Sequence, residues 1–88
     1  MRVRVQFTGR VQGVGFRATA RHIASSHAIS GFVRNDHDGG VTLEAQGEPH
    51  AVNAYLAELR ATMARFIQTE TSASLADIER ESGFVITR

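Results

Sequence analysis

Between an alternating apolar stretch (Val3, Val5, Phe7) and a run with helical spacing lies Gly9-Arg10-Val11-Gln12-Gly13-Val14-Gly15-Phe16-Arg17. A glycine-rich segment leading from a strand into a helix constrains this chain more than any other feature. Successive main-chain N–H groups in such a turn can converge on one point beside the positive end of the helix. That combination binds anions, phosphate above all. Glycines at this spacing also suit a turn that only needs positive φ, and spacing alone does not separate the two. Arg17 stands where the helix should begin. It is either a solvated helix-terminal arginine or a guanidinium fork closing over the same anion through two parallel hydrogen bonds. Two other phosphate loops are excluded. A P-loop ends in Gly-Lys-Ser/Thr and this chain has no lysine, while a dinucleotide fingerprint needs glycine where Ala18 stands.

The residues around the loop give the order of elements. Arg2 to Thr8 alternates with period two, as a half-buried strand does. Phe16, Ala20, Ile23 and Ala24 recur at helical spacing and predict a helix over Arg17 to His27. Ile29 to Asp36 reads as a second strand, with Phe32 and Val33 its bulky members. Asp38-Gly39-Gly40 is hairpin chemistry, and the alternation of Val41, Leu43 and Ala45 beyond it predicts an antiparallel third strand. Pro49 suits the first turn of a second helix, whose stripe of Val52, Tyr55, Leu56, Leu59 and Met63 is the clearest in the chain. Phe66 and Ile67 either extend that stripe or begin a strand. The fourth strand is expected near Ser74 to Glu79, and a short closing strand over Phe84 to Thr87. The class is therefore α+β: a ferredoxin-like β-α-β-β-α-β sandwich. Two helices cover one face of an antiparallel four-stranded sheet, order 4-1-3-2, with a short fifth strand.

Composition removes several function classes. With 88 residues the expectation is one domain with a modest core, spanning the whole chain. Ten arginines against nine acids leave a net charge of +1, which is no concentrated basic field for nucleic acid or a membrane surface. Cysteine is absent, so neither a disulfide framework nor a thiolate metal site is possible. His22, His27, His37 and His50 are scattered without metal-ligand spacing, and surface or rim positions suit them better than zinc. Arg2, Arg4 and Arg10 read as a solvated face that raises the local positive potential. The N-terminal Met-Arg-Val-Arg begins no long apolar run, so neither a signal peptide nor a membrane span is expected, and a cytoplasmic location is.

The literal string Gly9 to Arg17 resembles the signature loop of the acylphosphatase family. The family's second signature, a Gly-Trp-Val-x-Asn strand followed by a glycine turn, is similar to Gly31-Phe32-Val33-Arg34-Asn35 and the Asp38-Gly39-Gly40 after it. The resemblance runs from about Val3 to Gly47. It implies the same ferredoxin-like fold and the hydrolysis of small acyl phosphates to a carboxylate and inorganic phosphate. It further implies that main-chain N–H groups of Gln12, Gly13, Val14, Gly15 and Phe16 hold the phosphoryl oxygens. Arg17 would supply the fixed charge, and the Asn35 amide would orient the attacking water. No metal or cofactor is implied, and the partners are a small acyl phosphate and its product; the balanced surface suggests a monomer.

The chain departs from the family at Thr19 and Phe32, where an aromatic and tryptophan are usual. It also departs at His27-Ala28, where helix one usually closes with leucine and glycine, and over Ala64 to Ser74, which lacks the usual Gly-Pro. Two other readings are carried. One is a carbamoyl-phosphate-handling domain of the hydrogenase-maturation type, where proline commonly follows the arginine in place of Ala18. The other is a non-catalytic ferredoxin-like module that binds an anionic ligand.

Overall fold

The N-terminal alternation becomes β1 (Arg2–Gly9), which buries Val3, Val5 and Phe7 on one face. The structure, a computed structural model, describes residues 1–88. After β1 come α1 (Phe16–Ala24), β2 (Ile29–Asn35), β3 (Val41–Gly47), α2 (Pro49–Thr62), β4 (Ile67–Leu75) and β5 (Phe84–Thr87). The sheet order is β4-β1-β3-β2-β5. All pairings are antiparallel except that of β5, which runs parallel to β2, so the sheet is mixed at that edge. Val33, Val41, Leu43 and Ala45 join the β1 residues on the face covered by the helices. Phe16, Ala20 and Ile23 of α1 and Val52, Tyr55, Leu56 and Leu59 of α2 pack against them. The Tyr55 hydroxyl, buried between the helices, donates to Ala20 O at 2.9 Å, and burial pushes its pKa well above the ordinary value. A paired hydroxyl adds specificity to the contact without leaving an orphaned polar atom.

Three expectations are corrected. The fourth strand lies over Ile67–Leu75 and not Ser74 to Glu79. Its sequence, Ile-Gln-Thr-Glu-Thr-Ser-Ala-Ser-Leu, lacks apolar alternation because it is an edge strand. Register places Glu70, Ser72 and Ser74 beside Phe7, Val5 and Val3 on the helix side, and Arg60 of α2 reaches Glu70 at 2.9 Å. Polar side chains on an edge also discourage pairing with other chains. Helix one ends at Ala24 and not His27: N–H groups of Ser25, Ser26 and His27 fold back onto His22, Ile23 and Ala24 carbonyls, so no glycine cap is needed.

The third correction concerns Arg2, which is not part of a solvated face: its side chain is 1% exposed. On the sheet face opposite the helices, Arg2, Gln46 and Ser30 form one row across β1, β3 and β2. The segment joining β4 to β5 passes over this row. Arg2 Nε donates to Glu44 at 2.8 Å, and its Nη1 donates to Glu81 of the crossing segment at 2.7 Å. Ser30 Oγ adds a bond to Glu81 at 2.7 Å, and Gln46 brackets Ile78 through its N–H and its C=O. Arg4, nearly half exposed, gives Glu44 a second guanidinium. Burial drives the Glu44 carboxyl upward, but hydrogen bonds from Arg2 and Arg4 outweigh it and leave the pKa lowered. The Arg2 hydrogen bond is the main cause of the lowered Glu81 pKa, and the bond to Glu81 is the main cause of the raised Arg2 pKa.

Removing one partner of a buried, hydrogen-bonded ion pair is costly, whereas an exposed pair contributes little. Urea unfolding should show Arg2→Met losing about 3 kcal/mol and Arg4→Met less than about 1 kcal/mol. Because Glu44 and Glu81 hold their protons less tightly when folded, the unfolded chain binds more protons in acid. Their contribution is present above the ordinary carboxyl value of 4.5 and is lost as pH falls through the depressed values. Denaturation midpoints measured from neutral pH downward should fall below that point, and less steeply in Glu81→Gln.

Candidate active site

The antiparallel register sets Phe7, Val41 and Asn35 in one row across β1, β3 and β2. The C-terminal ends of β1 and β2 therefore lie at the same end of the sheet, and the glycine loop that leaves β1 returns over the strand end carrying Asn35. Val11, wholly buried, and Phe16, tilted against Phe7 at a ring separation of 5.1 Å, pin the two ends of that loop to the core. Each such apolar side chain contributes about 1.5–3 kcal/mol by leaving water.

Between those anchors the backbone turns left-handed twice, with φ of 76° at Gly13 and 77° at Gly15. Gly15 is the N-cap of α1, so no side chain caps the helix, and its first turn contains no acid. The main-chain N–H groups of residues 12–18 donate to no protein acceptor; the first helical bond is Thr19 N–H to Gly15 O at 2.9 Å. Unpaired donors at a helix N-terminus, where the dipole places about half a positive charge, make a site for an anion. Gly13, Gly15, Phe16, Arg17 and Ala18 line a cleft of ≈ 250 Å³ with Val11, and Asn35 and Ile86 form the side contributed by β2 and β5.

Arg17 and Asn35 thus face one cleft. Arg17 is half-buried, and its guanidinium pairs with no acid. Asn35 is also half-buried, and its carboxamide forms no hydrogen bond to another protein group, unlike its neighbours Arg34 and Asp36. No carboxylate lines the cleft, and Arg17 is the one charged side chain among its lining residues. Of the remaining loop residues marked by sequence, Val14 packs partly against the core, and the Gln12 side chain turns away from the cleft. Sequence reasoning missed Ile86, which reaches the cleft because β5 runs parallel beside β2 with Ile86 opposite Val33. A four-residue strand with one more isoleucine carries no signal of that placement. No three His, Cys, Asp or Glu residues converge anywhere in the chain, and no helix is long and apolar enough to cross a membrane.

An α+β sandwich whose glycine loop offers unpaired amides to a cleft shared with arginine and asparagine defines a class of anion-handling domains. Comparison narrows the class. A model of the acylphosphatase family matches residues 3–86. An acylphosphatase of Clostridium acetobutylicum is 39% identical over 84 residues, covering 93% of this chain and 91% of that protein. One from Oceanobacillus iheyensis is 43% identical over 68 residues, covering 77% and 75% respectively. The crystal structure of acylphosphatase from Bacillus subtilis superposes with a TM-score of 0.86 at 25% identity, covering 99% of this chain and 98% of that one. The chain belongs to the acylphosphatase family, whose members are hydrolases acting on acyl phosphates. A full-length HypF structure shares the fold at 22% identity and a TM-score of 0.80, and there the match spans only 12% of the longer chain.

A substitution at Gly15 isolates the backbone's part in this arrangement, because an added Cβ would meet nothing within 4 Å. Strain alone is then at stake, and asparagine bears positive φ far better than a β-branched residue. Gly15→Val should cost about 2 kcal/mol and Gly15→Asn less than about 1 kcal/mol in urea unfolding.

Proposed function

We propose that this acylphosphatase works by position and fixed charge, with the amide cradle of residues 12–16 and Arg17 holding the phosphoryl group and Asn35 aiming the water. The observation that carries this reading is the set of unpaired N–H groups opening on the same cleft as an unpaired guanidinium and an unpaired carboxamide. A phosphoryl group under transfer spreads charge over its equatorial oxygens, so preorganised donors around those oxygens favour the transition state. Arg17 adds two parallel N–H donors and a positive charge from one planar guanidinium.

In the proposed step, the oxygen of water forms a bond to phosphorus while the bond from phosphorus to the acyl oxygen breaks. Its electron pair leaves on a carboxylate, a weak base that requires no general acid. The Asn35 carboxamide accepts from and donates to the water, fixing its line of approach without removing its proton before attack. Both protons of the water stay with the phosphoryl product, so a dianionic acyl phosphate gives a carboxylate and dihydrogen phosphate, and no covalent intermediate is required.

Phosphate release from acetyl or benzoyl phosphate tests these roles. Arg17→Ala and Asn35→Ala should each lower kcat/KM on the order of 10²-fold. The two losses should differ in kind: Arg17→Ala also weakens inhibition by inorganic phosphate, whereas Asn35→Ala falls mainly in kcat and leaves that inhibition nearly unchanged. Activity persisting near wild type in either variant counts against the assignment of that residue.

A further inference from the structure

Gln12 lies in the middle of the glycine loop, yet its side chain does not line the cleft. Its Nε2 donates to Asp36 O at 2.7 Å and to Gly40 O at 2.9 Å. Both acceptors are main-chain carbonyls, which cannot donate, so the amide must present nitrogen and not oxygen to them. Both N–H bonds of the single nitrogen are thereby used. These are the only hydrogen bonds made by residues 11–14; the next anchors are Arg10 N–H on Phe66 O and Thr19 N–H on Gly15 O.

The two carbonyls belong to the turn between β2 and β3. Asp36 N–H donates to Gly40 O at 2.9 Å, and Gly39 N–H donates to Asp36 O at 3.2 Å, so each carbonyl carries two donors. The Asp36 carboxylate is itself tied to Thr42 Oγ1 at 2.6 Å and Arg34 Nε at 3.2 Å, and Asp38 Oδ1 accepts the Gly40 N–H at 2.9 Å. The turn is therefore stiff, and its first residue follows Asn35 directly in the chain. A strut of hydrogen bonds joins the loop that offers the amides to the strand end that carries the carboxamide.

We infer that Gln12 is a positioning residue: its carboxamide sets the separation between the amide cradle and Asn35, and so the line along which water reaches a phosphoryl group. The inference rests on the reading of Asn35 given above. In-line attack tolerates little displacement, and an error near 1 Å can cost on the order of 10²-fold in rate. Gln12 touches neither the phosphoryl group through its side chain nor the water; it acts through the turn.

A double-mutant cycle on kcat for benzoyl phosphate reads this directly. Gln12→Leu preserves most of the volume and removes both donors. It should lower kcat on the order of tenfold while the inhibition constant for inorganic phosphate stays within about twofold, since the donors to phosphate remain. Added to Asn35→Ala, the same substitution should change kcat by less than about twofold, because the group it positions is gone. A full further loss in the Asn35→Ala background, or an unchanged kcat in Gln12→Leu alone, overturns the inference. Loss confined to phosphate binding overturns it too. If Asn35→Ala itself keeps wild-type kcat, the reading of Asn35 fails first and carries the inference down with it. Should Gln12→Leu not fold, the cycle is run with Gln12→Asn, which keeps the amide and shortens its reach; the same coupling is expected.

Discussion

The structure depends on a run of main-chain N–H groups that the fold leaves without partners. Eight consecutive amides, residues 11–18, donate to nothing in the protein, a state that would be expensive if all were buried and is tolerable because most of these residues border a cleft. Two left-handed glycines hold them there, at Gly13 and Gly15. Val11 and Phe16 sink into the core at either end of that path, and Phe16 settles against Phe7. Unmet donors and positive-φ glycines thus sit together at the cleft, on a path that glycine adopts without steric cost.

The two faces of the sheet divide the work. On the helix side, apolar packing places α1 so that its N-terminus overlooks the cleft. On the other side, no helix covers the sheet, and the Arg2–Glu44–Glu81 cluster holds the crossing segment instead. That segment leads into β5, whose Ile86 forms part of the cleft wall. A buried ion pair is poor evidence of net stability, but here it fixes where a connection lies, and so where a short strand docks. Gly31 N–H to Gly83 O at 3.0 Å completes the attachment.

Much of this was legible in the sequence, because the features that decide the fold are also local ones. Alternation in β1 and β3, the stripe from Val52 to Met63, and the Asp38-Gly39-Gly40 turn each follow from side-chain periodicity or positive φ. The glycine loop, Arg17 and Asn35 were legible as motifs, and the sheet register explains why they meet. What was hidden depends on contacts distant along the chain. Arg2 looks like any strand arginine until a segment near residue 81 crosses it. β4 carries no hydrophobic signal because an edge strand beside a narrow helix layer needs none. The Gln12 side chain carries no local signal of its contacts, since its two acceptors lie 24 and 28 positions away.

The most direct test of the amide cradle is an NMR titration of the ¹⁵N-labelled protein with inorganic phosphate. The account predicts saturable shifts concentrated at the N–H groups of residues 12–17 and at the Arg17 guanidinium, with residues around Arg10 and Arg65 on the far side of the loop unmoved. Saturable shifts centred elsewhere, with those amides silent, would contradict it.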